Sequence, residues 1–108
     1  MAEIKYRKLV RDRIPEIIEN AGKTCVTEEL SDEEYLQMLD MKLNEELQEY
    51  YKDKNLEELA DLMEVIFAVA EARGYSIAEL EQVRKKKADE RGSFKQKILL
   101  KEVFDPKQ

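Results

Sequence analysis

Lys42–Asp61, KLNEELQEYYKDKNLEELAD, is the stretch on which the reading of this chain turns. It holds two carboxylate clusters, Glu45-Glu46-x-x-Glu49 and Glu58-x-x-Asp61, on either side of a short polar turn at Lys52 to Lys54. Acidic residues three apart in a helix lie on neighbouring turns of one face. Two consecutive helices folded back antiparallel place Glu49 level with Glu58 and Glu46 level with Asp61. Four carboxylates at one level of a helix pair repel one another unless a cation sits among them or some are protonated. A hard divalent ion is the natural occupant, Mg2+ in the first place and Mn2+ as its substitute.

Working outward, the punctuation of the chain predicts further helices. Pro15 suits the first turn of a short helix over Ile14 to Ala21, and Gly22 suits the position after its end. Ser31 followed by Glu34 has the form of a capping box and starts the first long helix, which runs to about Lys52. Asn55 with Glu58 starts the second, closed near Arg73 by Gly74, and Ser76 with Glu79 starts a third that ends before Gly92. Lys23 to Glu29 and Lys97 to Phe104 alternate or favour extended structure, which predicts two short strands able to pair. The expected fold is all-α, a bundle of about four helices with a small accessory strand pair, in a single domain over residues 1–108.

At 100° per residue the second long helix puts Leu59, Leu62, Met63, Ile66, Phe67 and Ala70 on one broad face. Val65, Val69 and Ala72 widen that face, leaving Glu57, Glu64 and Glu71 as a narrow stripe committed to solvent. A helix this apolar needs neighbours on more than one side, so a homo-oligomer, dimer or tetramer, is expected. On the preceding helix Leu36, Leu39, Leu43, Leu47 and Tyr50 form the apolar stripe. Glu46 and Glu58 fall within these apolar arcs and Asp61 at a margin, where an unpaired charge is costly. That placement argues against two merely solvated acidic faces.

Charged residues make up 41% of the chain and the net charge is −6, which argues against general affinity for nucleic-acid polymers or anionic lipid. The basic residues gather at Lys5 to Arg13 and Arg84 to Lys87. One cysteine, Cys25, and no histidine exclude an intramolecular disulfide, a zinc site and a histidine-containing di-iron site. No signal-peptide segment or membrane span is read, and a cytoplasmic location is expected.

The spaced carboxylates, Glu45-Glu46-x-x-Glu49 followed by Glu58-x-x-Asp61, resemble the paired motif of the all-α nucleoside triphosphate pyrophosphohydrolases, which include MazG and phosphoribosyl-ATP pyrophosphohydrolase groups. The stretch from Tyr6 to Pro15, YRKLVRDRIP, resembles the opening of the small phosphoribosyl-ATP pyrophosphohydrolase-like members. Lys87-x-x-x-Arg91-Gly92-x-Phe94 resembles their closing stretch, so the likeness covers nearly the whole chain. It implies an enzyme that releases pyrophosphate from a nucleoside triphosphate, including non-standard or damaged nucleotides, by attack at the phosphorus nearest the sugar. Asp89 or Glu90 stands near where several relatives carry a nucleotide-contacting asparagine, so the base is not implied.

Carried onto this sequence, the resemblance implies that Glu46, Glu49, Glu58 and Asp61 hold Mg2+, and that Glu45 is an outer-sphere or water-orienting carboxylate. Glu45, Glu46 and Glu49 are thus the candidate catalytic residues. The chemistry also needs cations for the leaving pyrophosphate, and Lys8, Arg11, Lys87 and Arg91 are the candidates. A second reading keeps the same fold without turnover, as a helical nucleotide-sensing or protein-interaction module. In a third, the acidic hairpin is purely structural.

Overall fold

The computed structural model describes residues 7–106; Tyr6, the first residue of the opening stretch named above, lies outside them. Among the described residues four helices follow in order: α1 (Ile14–Asn20), α2 (Asp32–Asp53), α3 (Leu56–Ala72) and α4 (Ile77–Arg91). The all-α class follows directly. Among the described residues there is no strand, and 23–29 and 97–104 run without a ladder. Their β-branched residues favour extended backbone, but a strand is stable only with partners and a covered face.

The helix ends are set by side chains close in sequence. The Glu34 backbone N–H donates to Ser31 Oγ at 3.2 Å, and the Ser31 hydroxyl reaches Glu34 Oε1 at 2.9 Å. Asn55 Oδ1 accepts from the Glu58 N–H at 3.0 Å and starts α3. At the other end of α3, Gly74 adopts φ 93°, and Gly74 N–H and Tyr75 N–H donate to Glu71 O and Ala70 O at 3.0 and 2.9 Å. These are the paired bonds of a Schellman stop, which needs a residue tolerant of positive φ.

The chain forms two compact units, one through Ile77 and one from Ala78 onward. In the first, α2 and α3 form an antiparallel hairpin, joined by only Lys54 and Asn55. Helix α2 runs one residue past its expected end at Lys52, into the expected turn as far as Asp53, and Lys54 takes the left-handed conformation with φ 50°. At the far end of the hairpin Arg73 Nη2 meets Asp40 Oδ2 at 3.4 Å.

Leu39, 2% exposed, and Val65 are the buried apolar residues among those described. Both lie on seams of heptad-like spacing: Leu36, Leu39, Leu43, Glu46 and Tyr50 on α2, and Glu58, Asp61, Val65 and Ala72 on α3. The α3 seam is apolar away from the turn and acidic beside it, and on α2 Glu46 interrupts the apolar seam before Tyr50. The covered side of α3 is accordingly centred nearer Val65 than the helical wheel suggests, and Leu59, Met63 and Ile66 are exposed. The second unit contains most of α4 and the segment after it; on α4 Arg84 Nε donates to Glu81 Oε2 at 2.8 Å.

Candidate metal centre

The turn end of the hairpin gathers carboxylates from both helices. Glu46, Glu58 and Asp61 can each offer an oxygen such that all lie within 4.8 Å of one another, and so can Glu49, Asp53 and Glu58. The two groups share Glu58. Glu46, Glu49, Glu58 and Asp61 are thus brought together in two overlapping sets, with the paired heights that the hairpin register requires.

Each position has a local cause. Residues 46, 49 and 53 recur at three- and four-residue spacing on α2, so they share the side of the helix that borders α3 near the turn. On α3, the Asn55 cap satisfies the backbone N–H of Glu58 and starts the helix so that residues 58 and 61 fall on its seam. The Glu46 side chain keeps only 12% of its accessible surface, whereas Glu49 and Asp53 are exposed. The site therefore has a partly covered floor and an open side.

The charge is only partly balanced. Lys42, largely covered, sits 3.5 Å from Glu45 and 3.3 Å from Glu46. Arg11 Nη2 donates to Asp61 Oδ1 at 2.7 Å, and Lys8 Nζ lies 3.6 Å from Glu45 Oε1. The Glu58 carboxyl is held above its ordinary value of 4.5, first by loss of hydration and then by the negative charges of Asp53, Asp61, Glu49 and Glu46. The charges that act on it are negative, so it carries the conflict of the cluster.

Glu45 belongs to neither carboxylate group; it turns to Lys8 and Lys42 instead. Of the four candidate phosphate ligands, Lys8 and Arg11 are engaged with the acidic hairpin itself. Lys87 and Arg91 are exposed on α4, four residues apart and so on one face, in the second compact unit. Two participants were not singled out from the sequence. Asp53 falls within the expected turn, although it stands four residues after Glu49; Glu45 and Glu46 stand three and four residues after Lys42, the spacing of helical ion pairs.

No helix is long and apolar enough to cross a membrane among the described residues. No protein-family model matches the chain, and no solved structure matches it. An uncharacterized protein of Mycolicibacterium smegmatis is 57% identical over 42 residues, which are 39% of this chain and 43% of that protein. The match thus spans less than half of the relative's length.

Proposed function

We propose that this chain is a divalent-cation-dependent nucleoside triphosphate pyrophosphohydrolase of the MazG-like, phosphoribosyl-ATP pyrophosphohydrolase-like kind. The observation that carries the reading is the convergence of Glu46, Glu49, Asp53, Glu58 and Asp61 from two helices onto one end of a hairpin. All the donors are carboxylate oxygens, which suits Mg2+ or Mn2+ and disfavours softer metals. Glu46, Glu58 and Asp61 would form one set of ligands and Glu49, Asp53 and Glu58 the other. When bound, the metal supplies charge neutralisation for a triphosphate and polarises its phosphoryl oxygens.

The chain's own residues supply the remaining requirements. Glu45 lies outside both ligand sets and is positioned by Lys8 and Lys42, which suits orientation or deprotonation of the attacking water. Lys8 and Arg11 can take up charge on the departing pyrophosphate once exchanged from their carboxylates. The same role is proposed for Lys87 and Arg91 on the resemblance alone. A homodimer or homotetramer is proposed because Leu56, Leu59, Met63 and Ile66 leave an apolar side of α3 exposed. Assembly is also where 23–29 and 97–104 could acquire strand partners.

The test is to incubate the purified protein with Mg2+ and a panel of standard, deoxy and modified nucleoside triphosphates and to resolve the products by chromatography. Monophosphate and pyrophosphate are expected, and both are lost in Glu49→Gln. Diphosphate with phosphate would place the cleavage at another bond. One observation favours the sensing, interaction or structural alternative: Arg11, Lys8 and Lys42 already neutralise part of the cluster. That reading expects no turnover across the panel; a purely structural hairpin also expects a melting temperature indifferent to divalent cations.

A further inference from the structure

Residues 7–11 cross the acidic hairpin without helix or strand of their own. Two ion pairs fasten this segment, one to each long helix: Lys8 Nζ to Glu45 Oε1 on α2 at 3.6 Å, and Arg11 Nη2 to Asp61 Oδ1 on α3 at 2.7 Å. Arg7, Lys8 and Leu9 border a small cleft with Met38, Met41 and Lys42, which lays the segment along α2. Just beyond it, the Ile14 N–H donates to Arg11 O at 3.1 Å, so Arg11 stands where the extended segment meets α1.

Asp61 therefore has two claims on it. Its carboxylate accepts a charge-assisted bond from Arg11, and it is also one of the three groups able to enclose a cation with Glu46 and Glu58. A guanidinium already on a ligand both occupies a lone pair and repels an incoming dication. The Arg11 side chain is 59% exposed, so it can leave for water at little cost.

We infer that residues 8–11 form a displaceable strap, in which Arg11 serves as the resident counter-ion of Asp61 and a divalent cation binds by driving it off. The inference rests on the metal-binding reading of the hairpin. Arg11 is thereby a tuning residue: it lowers affinity for the free ion and keeps the cluster from standing unbalanced when the site is empty. Displacement also releases a guanidinium next to the metal, where the oxygens of an anionic ligand can collect it. Lys8 holds the segment to Glu45 and returns it when the ion leaves.

The test uses the full chain and Mn2+ alone, with free Mn2+ read by electron paramagnetic resonance. Arg11→Gln is expected to tighten Mn2+ binding roughly tenfold through loss of the competing charge. Arg13→Gln is the control, because Arg13 pairs with Glu16 at 3.2 Å rather than with the cluster, and it should stay within about twofold. A second readout needs no substitution: in the wild-type protein, amide hydrogen exchange over residues 8–12 should quicken on saturation with Mn2+. Unchanged or weakened binding in Arg11→Gln, equal tightening in Arg13→Gln, or exchange that is unaltered or slowed by Mn2+ each overturns the strap. If neither the wild type nor Arg11→Gln binds Mn2+, the metal-binding reading fails and takes the strap with it; binding that ignores Arg11 removes the strap alone.

Discussion

Glu58→Gln should move stability in opposite directions without and with metal. Glu58 is the residue common to both carboxylate groups, and its carboxyl is raised above its ordinary value by lost hydration and by four acidic neighbours. In the metal-free protein its charge is therefore unfavourable, and an uncharged amide of similar size should raise Tm. With metal the balance reverses. At free Mn2+ of 100 times its dissociation constant, preferential binding to the folded state contributes about 2.7 kcal/mol, which is about 10 °C or more in Tm for a chain of this size. Losing the shared ligand should remove most of that rise. Differential scanning fluorimetry of wild type and variant, with chelator and with graded Mn2+, measures both limbs, while circular dichroism checks that helix content is kept. A metal-free variant that melts lower than wild type, or one that retains the full Mn2+ shift, would refute the reasoning about Glu58.

The same carboxyl sets a pH dependence: its folded pKa lies above 4.5, so the penalty is fully present above the folded pKa and fades as pH falls toward and below 4.5. The Tm gap between metal-free Glu58→Gln and wild type should therefore be largest near neutrality and close by about pH 4, as read from melts across that range. Leu39→Ala, at the best-buried apolar position, should cost about 2–5 kcal/mol in urea unfolding monitored by helix content; a cost near zero would mean that the hairpin seam is not the core. Lys54→Gly relieves a side chain held at φ 50° and should stabilise the protein by about 0.5–1 kcal/mol in the same assay.

The elements most legible in the sequence were those governed by neighbouring residues. Ser31 with Glu34 and Asn55 with Glu58 mark the starts of α2 and α3 because each cap bonds only three residues away. Gly74 marks the stop of α3 for an equally local reason, its positive φ. The convergence of Glu46 with Asp61 and of Glu49 with Glu58 was legible too, since a short connection fixes the register of an antiparallel pair.

What escaped the sequence depended on longer-range contacts or on a single turn of helix. Asp53 joins the cluster because α2 runs through it and Lys54 absorbs the reversal, a choice that Lys52 to Lys54 does not announce. From sequence the cluster holding Lys8 and Arg11 suits phosphate or, for Arg11, pairing with Asp12 or a neighbouring helix; only the fold identifies the partners, Glu45 and Asp61, far along the chain. The side of α3 that packs was blurred by its wide apolar arc, and the carboxylates at 58 and 61 mark that side better than Leu59 or Met63. The stretches 23–29 and 97–104 have strand-forming composition, but composition cannot supply a partner edge.

The proposed reaction is tested most directly by turnover in 18O-labelled water with Mg2+ and the best substrate of the nucleotide panel, followed by mass spectrometry of the products. Attack at the phosphorus nearest the sugar places the label in the nucleoside monophosphate and leaves pyrophosphate unlabelled, and this is the expected result. Label in pyrophosphate or in inorganic phosphate, or no turnover of any nucleotide by a protein that binds Mg2+, would contradict the assignment of the acidic hairpin as a pyrophosphohydrolase centre.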